Sequence, residues 1–206
     1  MKELIRTNDP KKITWLAEVL AERGIDAVVQ NTDTSNVEEQ LGKFSHRIMV
    51  DEEDFEFANG LFILAEQDIT SDETFDALLD GRVLLRQPKE GYRVAVDPVL
   101  LASSIEANPK DRVLDVGSGV GAAALCLASR CANAQVYGLE LQPELVARSR
   151  LNATASGLSI KFFQGDLLNP PSIITDGGFD HVMANPPYLP TERADPRISW
   201  AKAKSH

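Results

Sequence analysis

Apolar residues near the start of the chain recur at helical spacing, with Ile13, Leu16, Val19 and Leu20 forming one stripe along "KKITWLAEVLAERG". Asn8 or Asp9 supplies an N-cap, Pro10 suits the first helical position, and Gly24 closes the helix. The flanking "KELIRT" and "IDAVVQN" have strand composition. A polar loop, "TDTSNVEEQLGKFS", leads to another strand, "HRIMVDEE", and to a second helix, "DFEFANGLFILAE", headed by the acidic run Asp51 to Asp54. The order β-α-β-β-α over about 65 residues predicts a small α+β domain with one helical layer on a sheet, able to fold alone on a marginal core.

The next stretch, residues 68–80, is acidic and poor in strand formers, and predicts a linker or short helix. "GRVLLRQPKEGYRVAV" predicts two alternating strands turning at Pro88 to Gly91, and "DPVLLASSIEAN" a helix with Asp97 as cap and Pro98 in its first turn. From Asp111 the pattern becomes regular. Apolar runs "RVLDVG", "AQVYGLEL", "IKFFQGD" and "FDHVMANPP" alternate with helical segments "AAALCLASRCA" and "PELVARSRLNATASG". Strands alternating with helices of this length predict right-handed crossovers and a parallel sheet covered on both faces. The domains are therefore set at 1–67 and 81–206, joined by the acidic linker 68–80.

Composition adds little until it is divided along the chain. The 206 residues are 43% hydrophobic and 25% charged, ordinary globular values. The net charge of -10 argues against a nucleic-acid partner, but residues 1–67 carry 7 basic and 14 acidic side chains, 68–80 carry 5 acidic and none basic, and 81–206 carry 14 basic and 12 acidic. The acidity belongs to the front. No window approaches the roughly 18 apolar residues of a membrane span, and "MKELIRTNDP" lacks the apolar run of an export signal, so a soluble, cytoplasmic protein is expected. Cys126 and Cys131 are too few and too badly spaced for a disulfide framework or a zinc site, and read as core thiols; no metal site is expected.

The candidate chemistry lies at the ends of the regular strands. "VLDVGSGVGAA" places Gly117, Gly119 and Gly121 between a buried strand and a helix, where a ligand can approach the main chain. Gly117, Gly119 and Ala122 also satisfy the dinucleotide spacing G-x-G-x-x-A, so an NAD-dependent dehydrogenase stays open. Asp115, two residues before the first glycine, suits a ligand amino group better than a pyrophosphate. Glu140 ends the second strand, where an acid can bridge two ribose hydroxyls. Asp166 ends the third, where a carboxylate can accept from an adenine amino group with Leu167 on the ring face. Capping, solvated or turn-forming acids would explain each alone, but three at successive strand ends point to a ligand.

With "LDVGSGVG", "GLEL", "QGD" and "ANPPY" in place, residues 81–188 resemble the class I S-adenosylmethionine-dependent methyltransferases, in particular the methyltransferase small domain group that includes tRNA adenine-N6 methyltransferases. The resemblance implies a Rossmann-like parallel sheet preceded by the small α+β domain, and S-adenosylmethionine as cofactor. It implies that Glu140 binds the ribose hydroxyls, Asp166 the adenine amino group and the 115–121 loop the methionine portion. "GYRVAVDPVLLA" looks like this group's lead-in, which implies Arg93 and Asp97 at the methionine end. Residues 1–65 resemble a small bacterial domain of unknown function described as a candidate signal-transducing module, which implies a regulatory or protein-contact role. Only four strands precede the motif at 185–188 and eighteen residues follow it, so the sheet is expected to be truncated after its fourth strand, with an exposed edge.

"ANPPY" carries the chemistry. A sulfonium is an activated methyl donor, so the difficulty lies in the acceptor, an amino nitrogen whose lone pair is delocalised into a π system. The Asn185 side-chain oxygen and the Pro186 carbonyl can take its two hydrogens and turn the lone pair toward the methyl group. The prolines stiffen the loop and offer no competing N–H, and Tyr188 can stack on the acceptor's flat face. The motif type is shared by adenine-N6, guanine-N2 of rRNA and protein glutamine-N5 methyltransferases. The lead-in, with a basic face of Arg82, Arg86, Lys89 and Arg93, points first to adenine N6 in tRNA; the glutamine enzymes typically carry a helical front domain. A non-catalytic cofactor-binding protein is the rival from another class.

Overall fold

A computed structural model of the chain describes residues 1–31, 46–66, 73–90 and 93–186. The expected polar loop at 32–45, the glycine at 91, and everything from Pro187 onward, Tyr188 included, lie outside the described residues. No described helix is long and apolar enough to cross a membrane.

The front of the chain forms β1 (Lys2–Thr7), α1 (Pro10–Ala21), β2 (Ala27–Asn31), β3 (His46–Val50) and α2 (Phe55–Glu66) in the expected order. Asp9 caps α1 by accepting from the Lys11 and Lys12 amides, and Ile13, Leu16 and Leu20 are buried beneath it. The sheet has order β1-β3-β2, both pairings antiparallel.

This unit does not close its own core. Leu84 and Ala155, both from the second half of the chain, are buried in one cluster with Leu16, Leu20, Ile48, Leu61 and Leu64. The physical reason can be seen in α2, whose "FEFANGLFILAE" is apolar on nearly every side. Such a helix is stable only between two layers. One face meets the front sheet and the other lies against the second half. Gly60 makes the contact close, since a side chain there would overlap the Ala155 carbonyl and a Leu84 methyl.

The acidic stretch contains a strand rather than only a linker. β4 (Glu73–Leu78) pairs antiparallel with β5 (Val83–Pro88), so the hairpin turns at 79–82 and not at Pro88 to Gly91. The turn is Leu79-Asp80-Gly81-Arg82 with the first three in the left-handed region, and Asp-Gly is a stronger hairpin signal than Pro88. Acidic residues are tolerated in β4 because they are paired. Glu73 is buried between Arg86, whose Nε lies 2.7 Å away, and Arg148, whose Nε lies 2.6 Å away. Burial pushes the Glu73 carboxyl up, but Arg148 and Arg86 outweigh it and hold it below the usual range.

After α3 (Asp97–Ser103) come β6 (Arg112–Val116), α4 (Ala122–Arg130), β7 (Gln135–Glu140), α5 (Pro143–Ala155), β8 (Lys161–Gln164), the short α6 (Ser172–Thr175) and β9 (His181–Ala184). The four strands are parallel in the order β8-β7-β6-β9. The predicted cover on both faces is uneven. α4 and α5 pack over one face, while among the described residues Leu114, Tyr137 and Leu139 on the other cluster with Ile174 of α6, Val116, Phe163 and Phe179. Val182 of β9 is 60% exposed. Cys126 is a buried core thiol, pushed up to about 11 by burial, and Cys131 is half-buried.

Candidate active site

Strand order brings the separate motifs to one edge. In the parallel register Val116 stands beside Leu139 and Ala184, and Glu140 beside Gln164. The carboxyl ends of β8, β7, β6 and β9 therefore present Asp166, Glu140, the glycine turn and Asn185 in a row, at the edge where open α/β sheets bind ligands.

The turn from β6 into α4 runs through Gly117, Gly119 and Gly121, all at positive φ. At Gly121 a side chain would also meet the Phe162 ring at 2.8 Å. The space over Gly117 and Gly119 is open, with no atom within 4 Å of where a Cβ would stand. The loop's amides turn inward. Gly117 and Ser118 both donate to the Leu139 carbonyl, at 2.8 and 3.1 Å, and Gly121 donates to the Ser118 carbonyl at 2.8 Å. The Gly119 amide donates to Glu140 Oε2 at 2.9 Å, while Glu140 Oε1 accepts from the Gln142 amide at 2.9 Å. Glu140 is thus a buried carboxylate fixed by two amides, one bond to each oxygen, with lone pairs left for ligand hydroxyls.

Asp115 sits beneath the loop rather than on its surface. It is 2% exposed and accepts from the Ala124 amide at 3.2 Å, bracing the first turn of α4. Burial pushes its carboxyl up to about 7; the Ala124 bond opposes this, and the nearby Glu140 adds to it. Between pH 4 and 7 the folded state holds a proton that the unfolded chain has released, so this group's contribution to stability falls as pH rises through that window. Asp115→Asn keeps the acceptor and loses the charge. It is expected to match the parent near pH 4 and to exceed it by roughly 2 kcal/mol or more at pH 8, measured by urea unfolding at both values.

Asp166 is half-buried and accepts from the Leu168 amide at 2.9 Å, with Leu167 beside it 57% exposed. Asn185 is half-buried and Pro186 exposed, directly after β9. Two expected residues stand differently. Arg93 turns to the hairpin, donating to Thr74 Oγ1 and Asp76 Oδ2, both at 3.3 Å. Asp97 is the first residue of α3, behind Val96 at the cap position, and among the described residues its side chain makes no capping bond. The basic face expected on the hairpin is also reduced, because Arg86 is buried in its ion pair and Arg93 is tied to Asp76.

Asn152 was missed by sequence reasoning. It is fully buried on α5 and donates to the Val120 carbonyl inside the glycine turn. Its signal was a lone amide on the buried stripe of Val146, Ser149 and Ala153.

The edge is therefore rich in acceptors and negative, open above two glycines, with the Gly117, Ser118, Gly119 and Gly121 amides already engaged. A hydroxylated ligand carrying positive charge fits it; a pyrophosphate would meet the buried Glu140 carboxylate and engaged amides. No group of three His, Cys, Asp or Glu able to hold a metal occurs among the described residues. A cavity of about 710 Å³ lies elsewhere, between the front unit and the C-terminal ends of α4 and α5, and contains none of these residues.

The family model described as methyltransferase small domain matches residues 93–204, more than half of the chain. A second, described as a candidate prokaryotic signal transducing protein, matches residues 1–66. Among curated relatives, the release factor glutamine methyltransferase of Deinococcus radiodurans is 38% identical over 122 residues, covering 58% of this chain and 41% of that protein. That of Geobacter sulfurreducens is 40% identical over 130 residues, covering 63% and 42%. The tRNA1(Val) (adenine(37)-N6)-methyltransferase of Porphyromonas gingivalis is 37% identical over 105 residues, covering 47% and 41%. The chain spans about two-fifths of the length of these relatives.

Proposed function

The chain belongs to the methyltransferase small domain family, and from that premise we propose that it transfers a methyl group from S-adenosylmethionine to a planar, weakly nucleophilic nitrogen. What carries this reading is the way β7 takes up the glycine-turn amides, through the Leu139 carbonyl and the Glu140 carboxylate. A loop so held favours a cationic, ribose-bearing cofactor over a dinucleotide. When bound, S-adenosylmethionine supplies a methyl group already activated on a sulfonium. Glu140 holds the ribose hydroxyls, Asp166 and Leu167 the adenine ring, and the 115–121 loop the methionine portion. Asn185 Oδ1 and the Pro186 carbonyl accept the two hydrogens of the reacting nitrogen and orient its lone pair.

For the acceptor we favour the side-chain carboxamide of a protein glutamine. The expectation of a tRNA adenine leaned on the lead-in at 81–102 and the basic hairpin face it carries, and two of that face's four residues are engaged in ion pairs. Glutamine methyltransferases stand among the relatives. The adenine reading keeps the support of the lead-in resemblance, of the α+β front unit and of the Porphyromonas relative.

Isothermal titration tests the cofactor. S-adenosylhomocysteine is expected to bind and NAD not to, and Glu140→Ala to weaken the former by about 30-fold, the worth of charge-assisted hydrogen bonds. Binding of NAD without S-adenosylhomocysteine would overturn the reading. Labelled methyl offered with a release factor and, separately, bulk tRNA decides the acceptor. Label in the protein supports glutamine, and label only in tRNA supports adenine.

A further inference from the structure

Among the described residues β5 pairs with β4 along one edge only. On its other edge the main-chain groups meet side chains of α5 and its C-cap, spaced four apart. Ser156 Oγ accepts from the Leu84 amide at 2.9 Å, and Asn152 Oδ1 accepts from the Arg86 amide at 2.8 Å. Asn152 Nδ2 donates back to the Arg86 carbonyl at 3.2 Å and, with its second hydrogen, to the Val120 carbonyl at 3.0 Å. Val120 lies between Gly119 and Gly121, so one fully buried amide fastens the glycine turn to the hairpin. The same Arg86 reaches the front unit. Its Nη1 donates to the Leu64 carbonyl at 3.2 Å, in the last turn of α2, where helix carbonyls lack intrahelical partners.

We propose that Asn152 is a positioning residue of the cofactor loop, and that through Arg86 it couples the loop to the docked front unit. The proposal rests on the cofactor reading above. Three glycines at positive φ leave this turn with little side-chain packing of its own, so its shape depends on bonds made to it from outside. Leu139 and Glu140 hold the side toward β7, and Asn152 holds Val120 from the side of β5. Loss of the amide leaves a buried carbonyl unsatisfied at the center of the loop, and the loop is then free to leave the shape that binds the cofactor. The path from Leu64 to Val120 passes through one arginine and one asparagine, short enough for the state of the front unit to be felt at the loop. That gives a signal-transducing type of domain a physical route to a methyltransferase site.

The test compares Asn152→Ala with Ser156→Ala, which removes the neighboring bond to β5 but touches nothing in the loop. Asn152→Asp, with similar volume and one acceptor kept, stands in where the alanine variant does not fold. Asn152→Ala is expected to weaken S-adenosylhomocysteine binding by about tenfold and to speed hydrogen exchange at the Gly119 and Gly121 amides, with Ser156→Ala within about twofold of the parent on both. Arg86→Lys, which keeps a charge for Glu73 but loses the forked reach to Leu64, is expected to weaken binding by about threefold. Equal effects of the Asn152 and Ser156 variants, or unchanged exchange in the former, would overturn the positioning role; unchanged affinity in Arg86→Lys would overturn the coupling. Should the parent bind no S-adenosylhomocysteine, the cofactor reading fails, while exchange in the unliganded protein still decides whether Asn152 holds the loop.

Discussion

Asn185→Ala is expected to lower methyl transfer by about 10³-fold while leaving S-adenosylhomocysteine affinity within about twofold of the parent, because its side chain is assigned to the acceptor and not to the cofactor. The case begins with the register of β9 on β6. Ala184 lies opposite Val116, so the chain leaves the sheet at Asn185 level with the start of the glycine turn. Pro186 follows, exposed, with a carbonyl and no amide hydrogen. Two acceptors are therefore carried on a stiff segment beside the loop proposed to hold the methionine portion. A carboxamide or arylamine nitrogen has two hydrogens to place, and removal of one acceptor frees it to rotate its lone pair back into conjugation. Single-turnover transfer of labelled methyl measures the effect. Transfer within tenfold of the parent would remove Asn185 from the mechanism; a parallel loss of cofactor affinity would make it a binding residue instead.

The row of motifs along the sheet edge was legible because period and strand ends are local properties. Alternating apolar runs and helices gave β6 through β9, and a parallel sheet must carry the residues after each strand to one edge. What was not legible depended on partners distant in sequence. Glu73 and Asp76 look like solvated linker acids until Arg86, Arg148, Gln87 and Arg93 are brought against them. Asp115 was placed facing a ligand; its burial under α4 follows from its sharing the helix-covered face of β6 with Val113, which alternation along the strand could have indicated. The hairpin turns at Asp80-Gly81, whose left-handed backbone is a stronger turn signal than Pro88. Tyr188, the residue expected to stack on the acceptor, lies outside the described residues.

The front unit was expected to fold alone, and Gly60→Val tests the opposite. Valine has the higher helix propensity, so on local grounds α2 should gain a few tenths of a kcal/mol. The new side chain would instead press on the Ala155 carbonyl and a Leu84 methyl. The methyl can rotate away. The carbonyl belongs to the last residue of α5, whose neighbors Asn152 and Ser156 are bonded to β5, so it cannot yield without disturbing those bonds. A loss of about 3 kcal/mol is expected, the upper part of the range for overpacking. In a background carrying Trp200→Phe, Trp15 is the single tryptophan of the chain and packs against the shared core, so its fluorescence follows the front unit while far-ultraviolet dichroism follows the whole chain. In the parent the two urea transitions should coincide, because one core spans both halves. In Gly60→Val the Trp15 transition should move to lower urea and separate from the dichroism. Coincident transitions with a midpoint matching the parent's would mean that α2 does not dock on α5 in solution, and the path from Leu64 to the glycine turn would fail with it.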